Sequence, residues 1–91
     1  MENIRRAHLI INGRVQGVGF RYEARAFATS IGLSGWVQNR CDGAVEGVFE
    51  GPRERVELLL HWCRRGPSAA YVEGIEIEWQ EPTGEQGFRI R

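Results

Sequence analysis

Two polar side chains invite chemistry first: Arg21, which closes the segment GRVQGVGFR at residues 13–21, and Asn39, eighteen residues further on. Arginine presents a planar fork of N–H donors that can take two oxygens of a phosphoryl group at once. Asparagine carries a donor and an acceptor together, so it can hold a water and a phosphoryl oxygen in one arrangement. The segment ahead of Arg21 contains Gly13, Gly17 and Gly19. Glycine lets successive backbone N–H groups turn inward without Cβ clashes, which makes a concave nest for an anion.

The apolar run AHLIING precedes this segment and the helical-looking RYEARAFATSIG follows it. The start of a helix would add unpaired N–H groups and the positive end of its dipole. Helix side chains lean toward the N-terminus, so Arg21 would tilt back over the nest. An arginine there opposes the dipole, and an anion beside it explains its presence better than chance does. The backbone of Val15, Gln16, Gly17, Val18, Gly19 and Phe20 is thus a candidate phosphate cradle. Two plainer readings stay open at this point. The glycines would serve only a strand-to-helix turn, and Asn39 only the turn in NRCDG.

The elements that must position these groups are legible in the periodicity. Residues 5–12 alternate loosely and read as a strand. A helix is expected over 21–31, with Phe20, Ala24, Phe27, Ala28 and Ile31 forming one apolar stripe and Gly32 as its stop. SGWVQNR and AVEGVFEG flank a hairpin turn with Asp42-Gly43 in it. A second helix is expected over 53–65, opened by Pro52, lined by Val56, Leu59, Leu60 and Cys63, and ended by Gly66-Pro67. YVEGIEIEW alternates, with Ile75, Ile77 and Trp79 on one face and Glu76 and Glu78 on the other; FRIR could add an edge strand. The order β-α-β-β-α-β predicts an α+β, ferredoxin-like sandwich with an antiparallel sheet and two helices on one face. In that order the first and second strands are parallel, so the cradle and Asn39 share one edge of the sheet.

Composition narrows the chemistry. Ninety-one residues, 42% hydrophobic and 26% charged, predict one globular domain over 1–91. The start has only a short apolar run, neither signal peptide nor membrane span, so a cytoplasmic protein is expected. Net charge is zero, which offers no general field for nucleic acid. Residues 1–25 nevertheless carry five arginines against Glu2 and Glu23, whereas residues 66–91 carry five glutamates against Arg89 and Arg91. A small anion would favour the N-terminal end.

All twelve basic residues are arginine, so neither a Walker lysine nor a Schiff-base lysine exists. Asp42 is the only aspartate, which excludes a paired-aspartate phosphatase. Gly47 and Ala69 stand six residues after Cys41 and Cys63, where a thiolate phosphatase loop needs arginine. His8 and His61 have no metal-ligand spacing and read as structural or surface residues. A phosphoryl compound hydrolysed without nucleophile, metal or general acid must have a leaving group that needs no help. An acyl phosphate expels a carboxylate, stable at neutral pH, and its hydrolysis asks mainly for positioning and charge stabilisation.

GRVQGVGFR, followed by Asn39 in GWVQNRCDGAVEGVFEG and then by GPSAAYVEGIEIEW and GFRIR, closely resembles the acylphosphatase family over nearly the whole chain. The resemblance implies hydrolysis of small acyl phosphates to carboxylate and inorganic phosphate on this fold, with no metal or cofactor. It implies Arg21 as the phosphate-binding arginine, Asn39 as the residue that positions the attacking water, and the Val15–Phe20 backbone as the cradle. The substrate's own phosphate would take the water's proton. Gly19 departs from family members that carry a bulkier residue there. The expected partners are a small acyl phosphate and inorganic phosphate as product inhibitor, with no nucleic acid or membrane, for a monomer with free thiols. Two alternatives stand beside it: a phosphate- or carbamoyl-phosphate-binding regulatory domain like that in hydrogenase-maturation proteins, and an RNA-recognition module. The second needs exposed aromatics on a basic sheet face; Glu46, Val48 and Glu50 share one face instead, with Phe49 and Trp36 read as core or edge packing.

Overall fold

The computed structural model describes residues 3–91. Its elements run β1 (Ile4–Arg14), α1 (Phe20–Ser30), β2 (Ser34–Asn39), β3 (Val45–Pro52), α2 (Arg53–Arg65), β4 (Tyr71–Gln80) and β5 (Phe88–Ile90). The sheet order is β4-β1-β3-β2-β5. β1 pairs antiparallel with β3 and β4, and β2 pairs antiparallel with β3. β5 is the departure from the antiparallel expectation: it lies parallel to β2, so the five-stranded sheet is mixed. The chain crosses from one sheet edge to the other before adding this strand, and such a return meets β2 in the same direction. No helix among the described residues is long and apolar enough to cross a membrane.

One face of the sheet buries Ala7, Leu9 and Ile11 of β1, Val37 of β2, and Val45 and Phe49 of β3 against the helices. Phe20, Ala24 and Ala28 of α1 and Val56, Leu59, Leu60 and Cys63 of α2 close that core, as the helical stripes require. Truncating a fully buried side chain such as Phe20 or Leu59 to alanine would cost about 3 kcal/mol. Trp79 shares its strand parity with Ile75 and Ile77 but is half exposed. It borders a hollow with Arg5, Arg53 and Glu57, where α2 has only begun and offers little to cover an indole. Phe49 is core and stacks on Phe88. Trp36 lies on the other face, edge-on to His8 at 6.5 Å and under the Arg91 guanidinium at 4.2 Å.

Because β3 separates them, β1 and β2 run parallel and their C-terminal ends share one edge of the sheet. The segment leaving β1 and the turn leaving β2 are therefore neighbours. β1 also bulges between Asn12 and Gly13. A Cβ at Gly13 would collide with the Tyr71 carbonyl oxygen, so this glycine serves the approach of β1 to β4 rather than the loop beyond.

Candidate active site

The loop between β1 and α1 is fastened at both ends by buried side chains, Val15 and Phe20, each 1% exposed. Between them Gly17 and Gly19 adopt φ of +74° and +80°, the left-handed region that other residues rarely enter. Gly19 occupies the N-cap of α1, and no side chain caps that helix. Among the described residues, no carbonyl or side chain accepts from the backbone N–H groups between Gln16 and Tyr22. A helix start normally spends a serine, threonine or aspartate on these donors. Here they are left for something else.

Val15, Gly17, Gly19, Phe20, Arg21, Tyr22 and Asn39 line a hollow of about 110 Å³ at this edge of the sheet. Arg21 has no ion-pair partner among the described residues; its guanidinium lies 5.8 Å from the centre of the Tyr22 ring. Arg25 approaches the same ring at 5.7 Å, which places a second positive charge near the rim. A larger hollow of about 420 Å³ runs beside Phe27, Leu58, His61, Trp62, Arg64 and Arg65. Size is a poor guide here, because the smaller hollow alone combines free backbone donors, an unpaired guanidinium and a carboxamide.

The plainer reading of Asn39 is tested by the turn that follows it. Asp42 Oδ1 accepts from the Ala44 N–H at 3.1 Å, and the Arg40 guanidinium donates to both Asp42 oxygens at 3.3 and 3.0 Å. Arg40 N–H donates to the Ala44 carbonyl at 2.8 Å and Gly43 N–H to that of Arg40 at 3.3 Å. The Ala44 N–H and then Arg40 hold the Asp42 carboxyl below the usual carboxylate range. The turn closes without Asn39, whose exposed side chain makes no hydrogen bond to the described residues.

Two side chains of the expected cradle segment point away from the hollow, which leaves their backbone N–H groups in the loop. Gln16 sends its side chain away from the hollow, donating from Nε2 to the Arg40 carbonyl at 2.8 Å and to the Ala44 carbonyl at 2.9 Å. Val18 packs against the core. Tyr22 lines the hollow although the sequence did not single it out; its place one residue after Arg21 was the only signal. His8 bonds Glu46 at 2.7 Å on the open sheet face, and His61 lies on α2, so neither reaches the hollow. Cys41 is exposed and Cys63 buried, both as free thiols, and burial pushes the Cys63 thiol up. Among the described residues no three His, Cys, Asp or Glu side chains stand close enough to hold a metal ion.

Residues 7–90 match the family model described as acylphosphatase. The chain belongs to the acylphosphatase family. An acylphosphatase from Pelotomaculum thermopropionicum is 56% identical over 86 residues, covering 93% of this chain and 94% of its own. The structure of an acylphosphatase from Coxiella burnetii superposes with a TM-score of 0.93 at 36% identity, covering 98% of this chain and 94% of that one. T. kodakarensis HypF also contains the fold, with a TM-score of 0.83 and 30% identity, but this chain spans only 12% of that protein. The acylphosphatase match thus runs through whole relatives of the same size, with both Arg21 and Asn39 inside the matched region.

Proposed function

We propose that the hydrolysis of acyl phosphates, the activity of this family, takes place in the hollow formed by the 15–20 loop, Arg21 and Asn39. The phosphoryl oxygens receive the free N–H groups of the loop and of the first turn of α1, and the Arg21 fork takes two of them. Asn39 holds a water through its carboxamide, facing phosphorus opposite the leaving oxygen. Attack forms the new P–O bond as the bond to the acyl oxygen breaks. The carboxylate departs without protonation, and a phosphoryl oxygen takes the water's proton. No side chain of the hollow is needed as a base.

The observation that supports this most is a triple coincidence in one hollow: unclaimed backbone donors, an arginine without a carboxylate, and an asparagine that the adjoining turn does not use. Inorganic phosphate, the product, would occupy the same donors and compete with substrate. The working form is proposed to be a monomer. A regulatory role is less favoured, because the chain matches acylphosphatases along their length and HypF only in a small part. An RNA surface is disfavoured by the open sheet face, where Glu50 stands opposite Arg6 and the Glu46 carboxylate bonds the His8 ring. The test is hydrolysis of benzoyl phosphate in excess EDTA by folded wild type and Asn39→Ala. Metal-independent turnover that collapses in the variant is expected. A folded wild type without turnover would overturn the reading.

A further inference from the structure

We infer that the Gln16 side chain positions Asn39 rather than binding the phosphoryl group; this rests on the proposed role of Asn39. Both partners of its Nε2 are carbonyl oxygens, at 2.8 and 2.9 Å. Carbonyls cannot donate, so only the amide NH₂ can face them, and one NH₂ has two hydrogens for two acceptors. The carbonyls belong to Arg40 and Ala44, the two ends of the turn that begins one residue after Asn39. Gln16 itself lies in the loop whose next residues, Gly17 and Gly19, line the hollow. Its side chain is therefore a half-buried brace between the two segments that must be kept at a fixed separation. One carries the phosphoryl donors, the other the water-holding carboxamide.

The pairing of bonds around the turn separates this role from plain stabilisation. The Ala44 carbonyl also accepts from the Arg40 N–H, and the Arg40 carbonyl from the Gly43 N–H. Removing the Gln16 amide would leave each with another donor, so the turn keeps its own hydrogen bonds. What is lost is the tie across to the loop. Asn39 sits at the last pair of the β2–β3 ladder, opposite Val45, and beyond it the two strands are tied by the Arg40 N–H to Ala44 carbonyl bond at the mouth of the turn. Reaction geometry is sensitive to how that turn sits against the loop, since a shift of about 1 Å between reacting groups can cost about a hundredfold.

The experiment is a double-mutant cycle with Gln16→Met, which keeps side-chain length and removes the donor, and Asn39→Ala, read as kcat for benzoyl phosphate and as inhibition by inorganic phosphate. Gln16→Met alone is expected to lower kcat about tenfold while changing phosphate inhibition less than about twofold. In the Asn39→Ala background the same substitution is expected to change kcat less than about twofold, because the group it positions is already gone. An equal kcat loss in both backgrounds would overturn the inference and leave the Asn39 reading standing. Phosphate inhibition that weakens in step with kcat would also overturn it, making Gln16 part of the cradle. Normal turnover by Asn39→Ala would remove both readings together. If Gln16→Met does not fold, Gln16→Asn, too short to span both carbonyls, goes through the same cycle with the same expected outcomes.

Discussion

The loop from Val15 to Gly19 and the loop from Glu81 to Gly87 both turn on left-handed glycines, Gly17 and Gly19 in one and Gly84 and Gly87 in the other. Each also has an arginine at hand. In the C-terminal loop the N–H groups of Thr83, Gly84 and Glu85 donate to the buried Glu50 carboxylate at 3.0, 2.8 and 2.9 Å, and Arg6 adds a bond at 3.2 Å. The fold supplies that nest with its own anion, and the result is a clasp that leads the chain into β5. Near the N-terminal loop no carboxylate of the described residues pairs with Arg21, and the loop donors have no partner of their own. The same physics, inward N–H groups plus a guanidinium, holds structure in one place and is available to a ligand in the other. What differs is whether a strand delivers a glutamate to it.

That contrast makes Arg21→Ala the most damaging change for activity and a mild one for stability. We expect kcat/KM to fall about 10²- to 10³-fold, about 3–4 kcal/mol of transition-state stabilisation, and phosphate inhibition to weaken. Denaturant midpoints should stay close to wild type; a large loss of stability would make Arg21 a structural arginine like Arg6. Asn39→Ala sharpens the open site from its other side. Its kcat should fall about a hundredfold with phosphate inhibition nearly intact, and an equal loss of both would mean that it binds the phosphoryl group instead.

Glu50→Ala inverts the pattern. Removing the carboxylate leaves three backbone donors without their acceptor and takes one of several partners from Arg6, so unfolding free energy should drop by about 2–3 kcal/mol. The kcat of the folded fraction should remain within about twofold of wild type. Urea unfolding alongside single-turnover rates would separate the two, and lost turnover at unchanged stability would break the comparison.

The smallest effect expected is one of pH. Burial pushes the Glu50 carboxyl up, but the Thr83, Glu85 and Gly84 N–H groups together with Arg6 outweigh it and hold it below the usual carboxylate range. Glu46 is likewise lowered, by His8 and then Gln38. A lowered folded value means that the unfolded chain takes up protons first. The stability these groups contribute is full above the ordinary carboxylate pKa of about 4.5 and is lost as pH falls through the folded values. Wild type should therefore lose stability more steeply below about pH 4.5 than Glu50→Ala does; parallel curves would remove Glu50 from the account.

The helix stripes, the alternating strands and the hairpin were legible because each depends on residues a few positions apart. Helix bounds came out within a residue, α1 spanning Phe20–Ser30 and α2 Arg53–Arg65. Gly17, Gly19 and Arg21 were legible for the same reason, since a loop, a helix start and a side chain at that start are all local. The chain's own order of residues thus determined the elements, the glycine loop and, through strand order, that Asn39 would lie beside it. Long-range contacts decided the rest. Only the packed molecule shows that Asp42 and Arg40 satisfy the turn and leave Asn39 free, that Gln16 reaches Arg40 and Ala44 instead of the hollow, and that Gly13 answers to Tyr71. It also decided that β5 pairs parallel to β2, that Trp79 stays half exposed, and that Glu50 meets a loop more than thirty residues away. Which way a polar side chain turns depends on which donors and acceptors arrive beside it, and those arrive only when distant strands come together.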